Sequence, residues 1–258
     1  MTPISGRWVE DRTEEFKASL AFSTRLPLVP ATSQTAKAVA NAAWAFPVTG
    51  LVVGMIGALV YALAHRLGLP AWPAAALSVT ATLVVTGALH EDGLADTADG
   101  FGGGDTRQSK LDIMRDSRTG AYGVCALVLS LALRIGTLAS FADAYAVVWA
   151  LIASHCAARA AMVMLMWLLP PARSDGLSYQ AGSPPGESAA AAAAIAFVVL
   201  LFCLHPLRAV VAALVLIALL ALTAWLSMRQ IEGQTGDVLG ATEQVGEIAV
   251  LLVAVAGS

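Results

Sequence analysis

The chain has 258 residues, of which 58% are hydrophobic and 13% are charged. A soluble domain typically has about 25% charged residues, and here the apolar residues gather in long blocks, so composition excludes an ordinary soluble domain and predicts a polytopic membrane protein. The net charge of −3 gives no support to nucleic-acid binding.

Seven stretches approach the roughly 20 apolar residues that a membrane-spanning helix needs. In chain order they are 44–64, 71–89, 120–140, 145–169, 189–205, 207–228 and 238–256. The stretch 189–205 is the shortest, and the pair 189–228 is also compatible with a re-entrant or strongly kinked element, so six to eight spans is the predicted range. We therefore predict an all-α integral membrane protein in which residues 1–258 form a single polytopic domain.

The N-terminal segment, residues 1–40, is too short and too charged to contain a span. Phe16, Leu20 and Phe22 fall on one side of a helix, which favours an amphipathic helix lying in the membrane interface. The alternative is a solvated tail that becomes ordered only near Leu26.

Lysine and arginine are distributed unevenly between the two sides that these spans define. With the N-terminus in the cytoplasm, eleven of them lie in cytoplasmic segments, and two, Arg66 and Arg208, lie on the opposite side. Cytoplasmic loops carry the excess of positive charge in most membrane proteins. The loops 90–119, 170–188 and 229–237 are therefore predicted to face the cytoplasm.

The stretch "ALHEDGLADTADGFGGGD", residues 88–105, follows an apolar span directly. Asp92, Asp96 and Asp99 are spaced i, i+4, i+7, so on a helix they share one face. Like charges on one helix face are destabilising unless cations lie among them. We predict a cation site here, and Glu91 lies next to the same face.

A second acidic pair follows in "SKLDIMRDSRTGAYG". Asp112 and Asp116 are spaced i, i+4, which predicts a short helix joined to the first acidic helix by a glycine-rich loop. Carboxylates without thiolates suit Mg²⁺, Mn²⁺ or Ca²⁺ rather than zinc or copper. The candidate metal ligands are Glu91, Asp92, Asp96, Asp99, Asp112 and Asp116.

Glycines and basic residues accompany these carboxylates, as expected at a site for a metal-bound diphosphate. The alternative is a solvated cytoplasmic loop, because the bias of positive charge towards the cytoplasm already accounts for the basic residues. The candidate substrate-binding residues of this stretch are Gly100, Gly103, Arg107, Lys110, Arg115 and Arg118.

Two spans contain ionisable residues, which are costly to bury in a membrane and usually face a cavity or a partner. His155 and Arg159 are spaced i, i+4 in the fourth span, and the last span begins with Asp237 and Glu243. We expect these four to line a substrate cavity, with pairing between helices as the alternative. Pairing is the favoured interpretation for Arg134 and Glu247.

The stretch "HEDGLADTADGFGGG" is similar to the signature of the cobalamin synthase family, the adenosylcobinamide-GDP ribazoletransferases. Further matches are "FSTRLPLVP", "KLDIMRDSRTGAYG" and "GQTGDVLGATEQVGE". They follow the family's order and cover nearly the whole chain.

This resemblance implies a Mg²⁺-dependent phosphotransferase in the inner membrane of a prokaryote, with its active site facing the cytoplasm. Members join adenosylcobinamide-GDP to α-ribazole or α-ribazole 5′-phosphate and release GMP, which is the final step in assembling the nucleotide loop of cobalamin. Homo-oligomers and complexes with other corrinoid-pathway enzymes are left open. The candidate catalytic residues are Asp92, Asp96, Asp99, Asp116 and His155.

A cation-coupled transporter is the alternative, with intramembrane residues such as Glu243 and His155 as the ion path. It predicts important carboxylates near the middle of the bilayer in two related halves. The densest acidic cluster instead lies at the cytoplasmic margin, and the sequence has no evident inverted repeat.

Overall fold

In the apolar blocks the chain folds as helices, since a helix satisfies its own backbone hydrogen bonds where no water is available. The structure is a computed structural model that describes residues 6–27 and 36–256. Within those residues it has no strand, and its helices are α1 (Gly6–Ser23), α2 (Ala36–Asn41), α3 (Phe46–Arg66), α4 (Ala71–Thr86), α5 (Leu89–Gly103), α6 (Arg107–Ile113), α7 (Ala121–Ala139), α8 (Ala144–Leu168), α9 (Gly176–Ala181), α10 (Gly186–Cys203), α11 (Pro206–Ile231) and α12 (Gly236–Val255).

Six helical segments of the described chain are long and apolar enough to cross a membrane. The number rises to seven if the bent pair α4 and α5 counts as one span. The prediction of an all-α, multi-pass membrane protein is confirmed. The segments are Val39–Arg66, Ala121–Ala139, Ala144–Leu168, Gly186–Cys203, Pro206–Ile231 and Gly236–Val255.

The main break in the bundle lies between α4 and α5, which meet at 89°. Gly87 ends α4 with a φ of 66°, a left-handed conformation that glycine adopts without steric cost. The helix predicted over 71–89 therefore ends at Thr86, three residues earlier than expected. The two spans predicted over 189–205 and 207–228 are confirmed as α10 and α11, so the alternative of a re-entrant or kinked element is not observed.

The acidic stretch is more helical than predicted. Of the expected glycine-rich loop, only residues 104–106 lie between helices, because α5 continues to Gly103 and α6 begins at Arg107. Helix α6 begins at a capping box, in which the Thr106 and Ser109 side chains bond each other's backbone N–H groups, and it ends at Ile113. Asp116 thus lies beyond α6, and the prediction that it shares a helix with Asp112 was wrong.

Helix α8 forms the centre of the bundle, because 78% of its most apolar 18-residue stretch is buried. The corresponding value for α11 is 11%, so α11 lies at the outside of the described bundle. Helix α1 forms as predicted and packs against α3, where the rings of Phe22 and Phe46 meet edge to face at 5.8 Å. This packing places the apolar side of α1 beside the end of the bundle that carries α6 and α9, called the α6 end below.

Candidate functional site

A cavity of about 320 Å³ lies at the α6 end of the bundle, between α5, α8, α9 and α12. Its polar and charged wall comes from five residues: His90, Asp92, Arg173, Ser178 and Asp237. Its apolar wall is Phe22, Val39, Phe46, Leu89, Met162, Met166, Ala181 and Leu239. The cavity therefore offers carboxylates, a guanidinium and an apolar surface to one ligand.

Helices α5 and α12 approach closely enough to bring separate acidic residues together. A Cβ atom added to Gly93 would lie 2.8 Å from the carbonyl oxygen of Asp237, so a larger residue at position 93 would push the helices apart. The charges of Asp92 and Asp237 both act on Asp96, which lies one turn along α5 from Asp92. We call Asp92, Asp96, Asp237 and Arg173 the aspartate site.

Asp99 has a different environment from the other aspartates of α5. Its Oδ2 accepts a hydrogen bond of 2.7 Å from the Gly120 N–H group, and its Oδ1 accepts one of 2.8 Å from that of Gly123. These groups belong to the N-terminus of α7, which binds negative charge favourably. Asp99 therefore fastens α5 to α7, although the spacing predicted it to be a metal ligand.

Arg173 was missed as a site residue by sequence reasoning, which counted it only towards the charge bias of its loop. Its Nη2 lies 3.5 Å from Asp237 Oδ2, and its Nε lies 3.6 Å from Asp175 Oδ1. Its Nη1 is buried and has no hydrogen-bond partner. The one usable signal was that no other lysine or arginine occurs in residues 170–188.

The backbone before Arg173 is fixed by hydrogen bonds to the connection between α11 and α12. The Ala172 N–H group donates to the carbonyl of Gln234 at 2.8 Å, and the Gln234 N–H group donates to that of Pro170 at 2.9 Å. Arg107 donates to the carbonyls of Ala172 and Ile231. Arg107, predicted to bind substrate, thus braces the segment that carries Arg173.

The other predicted residues of this region lie at the rim. Arg115 forms an ion pair of 2.6 Å with Asp175. The Asp112 carboxylate accepts a hydrogen bond of 2.9 Å from Gln108. Three more residues were predicted to bind substrate. Lys110 on α6 is partly buried, and of the two glycines near the end of α5, Gly103 is exposed and Gly100 is buried.

Asp116 is held on the surface by Arg118. The guanidinium donates to both carboxylate oxygens, with a shortest distance of 2.6 Å. These side-chain hydrogen bonds, together with one from the Arg118 backbone N–H group, lower the pKa of Asp116 to about 2. A carboxylate with so low a pKa is a weak base at neutral pH.

A second group of ionisable residues lies deeper in the bundle. It consists of Glu91, Arg134, His155, Arg159, Glu243 and Glu247, each 5% exposed or less, and we call it the buried charge cluster. Glu243 and Glu247 follow Asp237 by six and ten residues, which places them about 9 and 15 Å further along α12. The cluster therefore lies well below the aspartate site.

Ion pairs close this cluster. Arg134 contacts Glu247 at 2.9 Å and Glu91 at 2.7 Å. Arg159 contacts Glu243 at 2.7 Å. The space between these side chains holds no water-sized molecule. The structure therefore shows the pairing expected of Arg134 and Glu247, and it places Arg159 and Glu243 in a pair between helices as well.

His155 completes the buried charge cluster. Its Nδ1 lies 3.5 Å from Glu247 Oε2. Ligand atoms of His155, Glu243 and Glu247 lie within 4.8 Å of one another, a spacing that a metal ion can bridge. The guanidinium groups of Arg134 and Arg159 already neutralise these carboxylates, so this group has less need of a cation than the aspartate site has.

Comparison with known proteins identifies the family. Residues 15–255 match the cobalamin-5-phosphate synthase family. The chain belongs to this family. Both the aspartate site and the buried charge cluster fall within the matched residues of this cobalamin-5-phosphate synthase family member.

Three curated relatives with high identity carry the name adenosylcobinamide-GDP ribazoletransferase. The protein of that name from Bradyrhizobium diazoefficiens is 53% identical over 242 residues, covering 94% of this chain and 93% of the relative. One from Mesorhizobium japonicum is also 53% identical, covering 91% and 90%. One from Azorhizobium caulinodans is 46% identical, covering 91% and 92%. No solved structure matches the chain.

Membership in the cobalamin-5-phosphate synthase family decides between the two functional interpretations. The chain is a transferase of cobalamin biosynthesis, and the comparisons do not support the cation-coupled transporter. The aspartate site joins charged groups to the cavity at the α6 end of the bundle.

Proposed function

We propose that the chain transfers the adenosylcobinamide-phosphate group of adenosylcobinamide-GDP to α-ribazole or α-ribazole 5′-phosphate, with release of GMP. Relatives that are named for this activity and are up to 53% identical support the proposal. The structural observation that carries it is the convergence of Asp92, Asp237 and Arg173 on one cavity. A diphosphate needs both a cation held by carboxylates and direct positive charge from the protein.

Mg²⁺ is the cofactor that we propose for this site. Asp92, Asp96 and Asp237 would hold it, because the charges of Asp92 and Asp237 both act on Asp96, whereas Asp99 caps α7 and Glu91 pairs with Arg134. Mg²⁺ typically uses one or two carboxylates together with substrate phosphates, and these residues fit that requirement. When bound, it would neutralise negative charge on the diphosphate.

The transfer exchanges one P–O bond for another. A ribose hydroxyl of the acceptor attacks the phosphorus attached to cobinamide, and the bond from that phosphorus to the oxygen of GMP breaks. The hydroxyl proton goes to a carboxylate of the aspartate site rather than to Asp116, whose low pKa makes it a poor acceptor. Catalysis of this kind depends mainly on positioning and on stabilisation of charge.

We propose that the aspartate site faces the cytoplasm and that the protein lies in the inner membrane of a prokaryote. The basic residues near the α6 end support this orientation, since cytoplasmic loops carry the excess of positive charge. They are Arg107, Lys110, Arg115, Arg118 and Arg173. Soluble nucleotide substrates would then reach the cavity directly from the cytoplasm.

A transfer assay tests the proposed activity. The purified chain in lipid receives adenosylcobinamide-GDP and α-ribazole 5′-phosphate, with and without Mg²⁺, and chromatography follows GMP and the corrinoid product. We expect Mg²⁺-dependent product from the unaltered chain and from Asp105→Asn, an exposed aspartate just beyond α5. We expect no product from Asp237→Asn. Absence of GMP with folded, unaltered protein would overturn the proposed activity.

A further inference from the structure

The lining of the cavity at the aspartate site combines two kinds of surface. Carboxylates, the Arg173 guanidinium, His90 and Ser178 form its polar and charged wall, and aromatic, aliphatic and thioether side chains form its apolar wall. A ligand that fits must therefore have a charged or hydroxylated part joined to an apolar part. We propose that the apolar wall is the binding site for the aromatic base of the nucleoside acceptor, an inference that rests on the proposed transfer reaction.

Size separates the acceptor from the donor. The cavity volume of about 320 Å³ lies at the lower end of the roughly 300–1,000 Å³ typical of small-molecule sites. A nucleoside is of a suitable size for this space, whereas the corrinoid macrocycle is too large for it. The corrinoid must then remain outside, with only its phosphate chain reaching the carboxylates.

Polarity separates the acceptor base from guanine. Guanine carries several hydrogen-bonding groups, and burying them without partners is costly. The neutral polar side chains that line the cavity already have partners. The Ser178 hydroxyl donates to Gln234 at 2.6 Å, and His90 Nδ1 lies 3.4 Å from Glu243 Oε2. The flat, largely apolar benzimidazole of α-ribazole meets this wall at less cost.

The apolar wall is built from side chains suited to a flat ring. Met162 and Met166 lie one turn apart on α8, so they present neighbouring thioethers from the same helix face. Thioether sulfur makes favourable contacts with aromatic rings. Phe46 faces the same cavity and is supported by Phe22 at 5.8 Å. The wall stands on helices, which hold a binding surface more precisely than loops do.

Arg173 belongs to the polar and charged wall of the cavity. Its buried Nη1 lacks a hydrogen-bond partner, and a buried unpaired donor is unfavourable until a ligand oxygen accepts from it. With the base against the apolar wall, the ribose turns towards Arg173 and Asp237. This places the attacking hydroxyl next to the carboxylates and to the phosphorus that it attacks.

The test compares Met166→Ala with Met164→Ala in the reconstituted full chain. Met164 lies on the same helix but lines a separate groove with α10 and α11. We expect Met166→Ala to raise KM for α-ribazole 5′-phosphate at least tenfold, because lost methylene groups in an apolar pocket weaken discrimination by about that factor or more. KM for adenosylcobinamide-GDP should stay unchanged, as should both values in Met164→Ala.

A second variant and a binding measurement guard against misfolding. Met162→Phe fills the cavity instead of enlarging it. It should also raise KM for the acceptor and leave KM for the donor unchanged. Calorimetric titration of the chain with α-ribazole 5′-phosphate should show binding that weakens in both variants. An increase in KM for the donor, or no change in either KM, would overturn the assignment of the cavity to the acceptor. If the unaltered chain forms no product, the transfer reaction itself is refuted.

Discussion

The aspartate site and the buried charge cluster both take residues from α5 and α12, yet their charges have different functions. Helix α5 contributes Asp92 to the first and Glu91 to the second, although the two residues are adjacent. In the cluster each carboxylate has an arginine partner and no water-sized space remains. At the aspartate site three carboxylates share one arginine beside a cavity. Uncompensated charge next to open space distinguishes a binding site from a structural one.

The largest effect should come from breaking the buried charge cluster. Arg134→Met leaves Glu91 and Glu247 buried without an arginine partner, and removing one member of a buried pair typically costs about 3–5 kcal/mol. We expect a clearly lower midpoint in thermal unfolding in detergent. Arg118→Met, which removes only a surface ion pair, is the control and should leave the midpoint close to that of the unaltered protein. Equal unfolding midpoints for the two variants would contradict a structural role for the buried charge cluster.

Asp92→Asn should affect activity rather than stability. The change removes one carboxylate from the aspartate site, and we expect the rate of transfer at saturating substrate to fall at least about 100-fold, or about 2.7 kcal/mol of transition-state stabilisation. The unfolding midpoint should not fall, because Asp92 is exposed to the cavity and relieving repulsion with Asp96 is favourable. If the variant unfolds at lower temperature and keeps its rate, the two regions have been assigned the wrong way round.

A smaller loss is expected for Arg173→Gln. A hydrogen bond to a charged group contributes about 1.5–3 kcal/mol, so kcat/KM should fall about 10- to 150-fold. Arg115→Gln is the matched control, because Arg115 also pairs with Asp175 but lies outside the cavity. Steady-state kinetics of the two variants would distinguish contact between Arg173 and substrate from mere support of Asp175. If Arg173 only supports Asp175, the two variants should lose kcat/KM equally.

Asp116→Asn should have the smallest effect. Arg118 holds the pKa of Asp116 near 2, below the ordinary aspartate value of about 3.9, so this carboxylate is ionised at every pH well above 2. Its ion pair with Arg118 is lost only as the pH falls towards 2. The rate of transfer between pH 5 and 9 should therefore match that of the unaltered chain across the profile. Loss of one limb of a bell-shaped profile would show instead that Asp116 moves the proton.

Hydropathy and periodicity were sufficient to predict the helical membrane fold and the helix that carries Asp92 and Asp96. These features depend on local sequence, since apolar length determines a span and a spacing of four residues determines a shared face. The left-handed turn at Gly87 also has a local signal, a glycine at the end of an apolar run. It was masked by the continuous hydropathy of residues 71–89.

The composition of the aspartate site depended on contacts between distant parts of the chain. Asp237 joins Asp92 because Gly93 lets α12 approach α5, and no local pattern connects positions so far apart. Arg173 enters through the backbone hydrogen bonds of residues 170–172 with Gln234. Likewise, helical spacing alone placed Glu91 beside the aspartates, whereas the arginine that binds it lies on α7.

The most direct test of the account is metal binding at the aspartate site. Mn²⁺, which accepts the same oxygen ligands as Mg²⁺, would be titrated into the reconstituted chain with adenosylcobinamide-GDP present. Electron paramagnetic resonance would follow the signal of the Mn²⁺ that remains unbound. The account predicts that Asp237→Asn weakens Mn²⁺ binding strongly and that Asp116→Asn leaves it unchanged. Binding that survives in Asp237→Asn and is lost in Asp116→Asn would contradict it and move the metal to the surface beside α6.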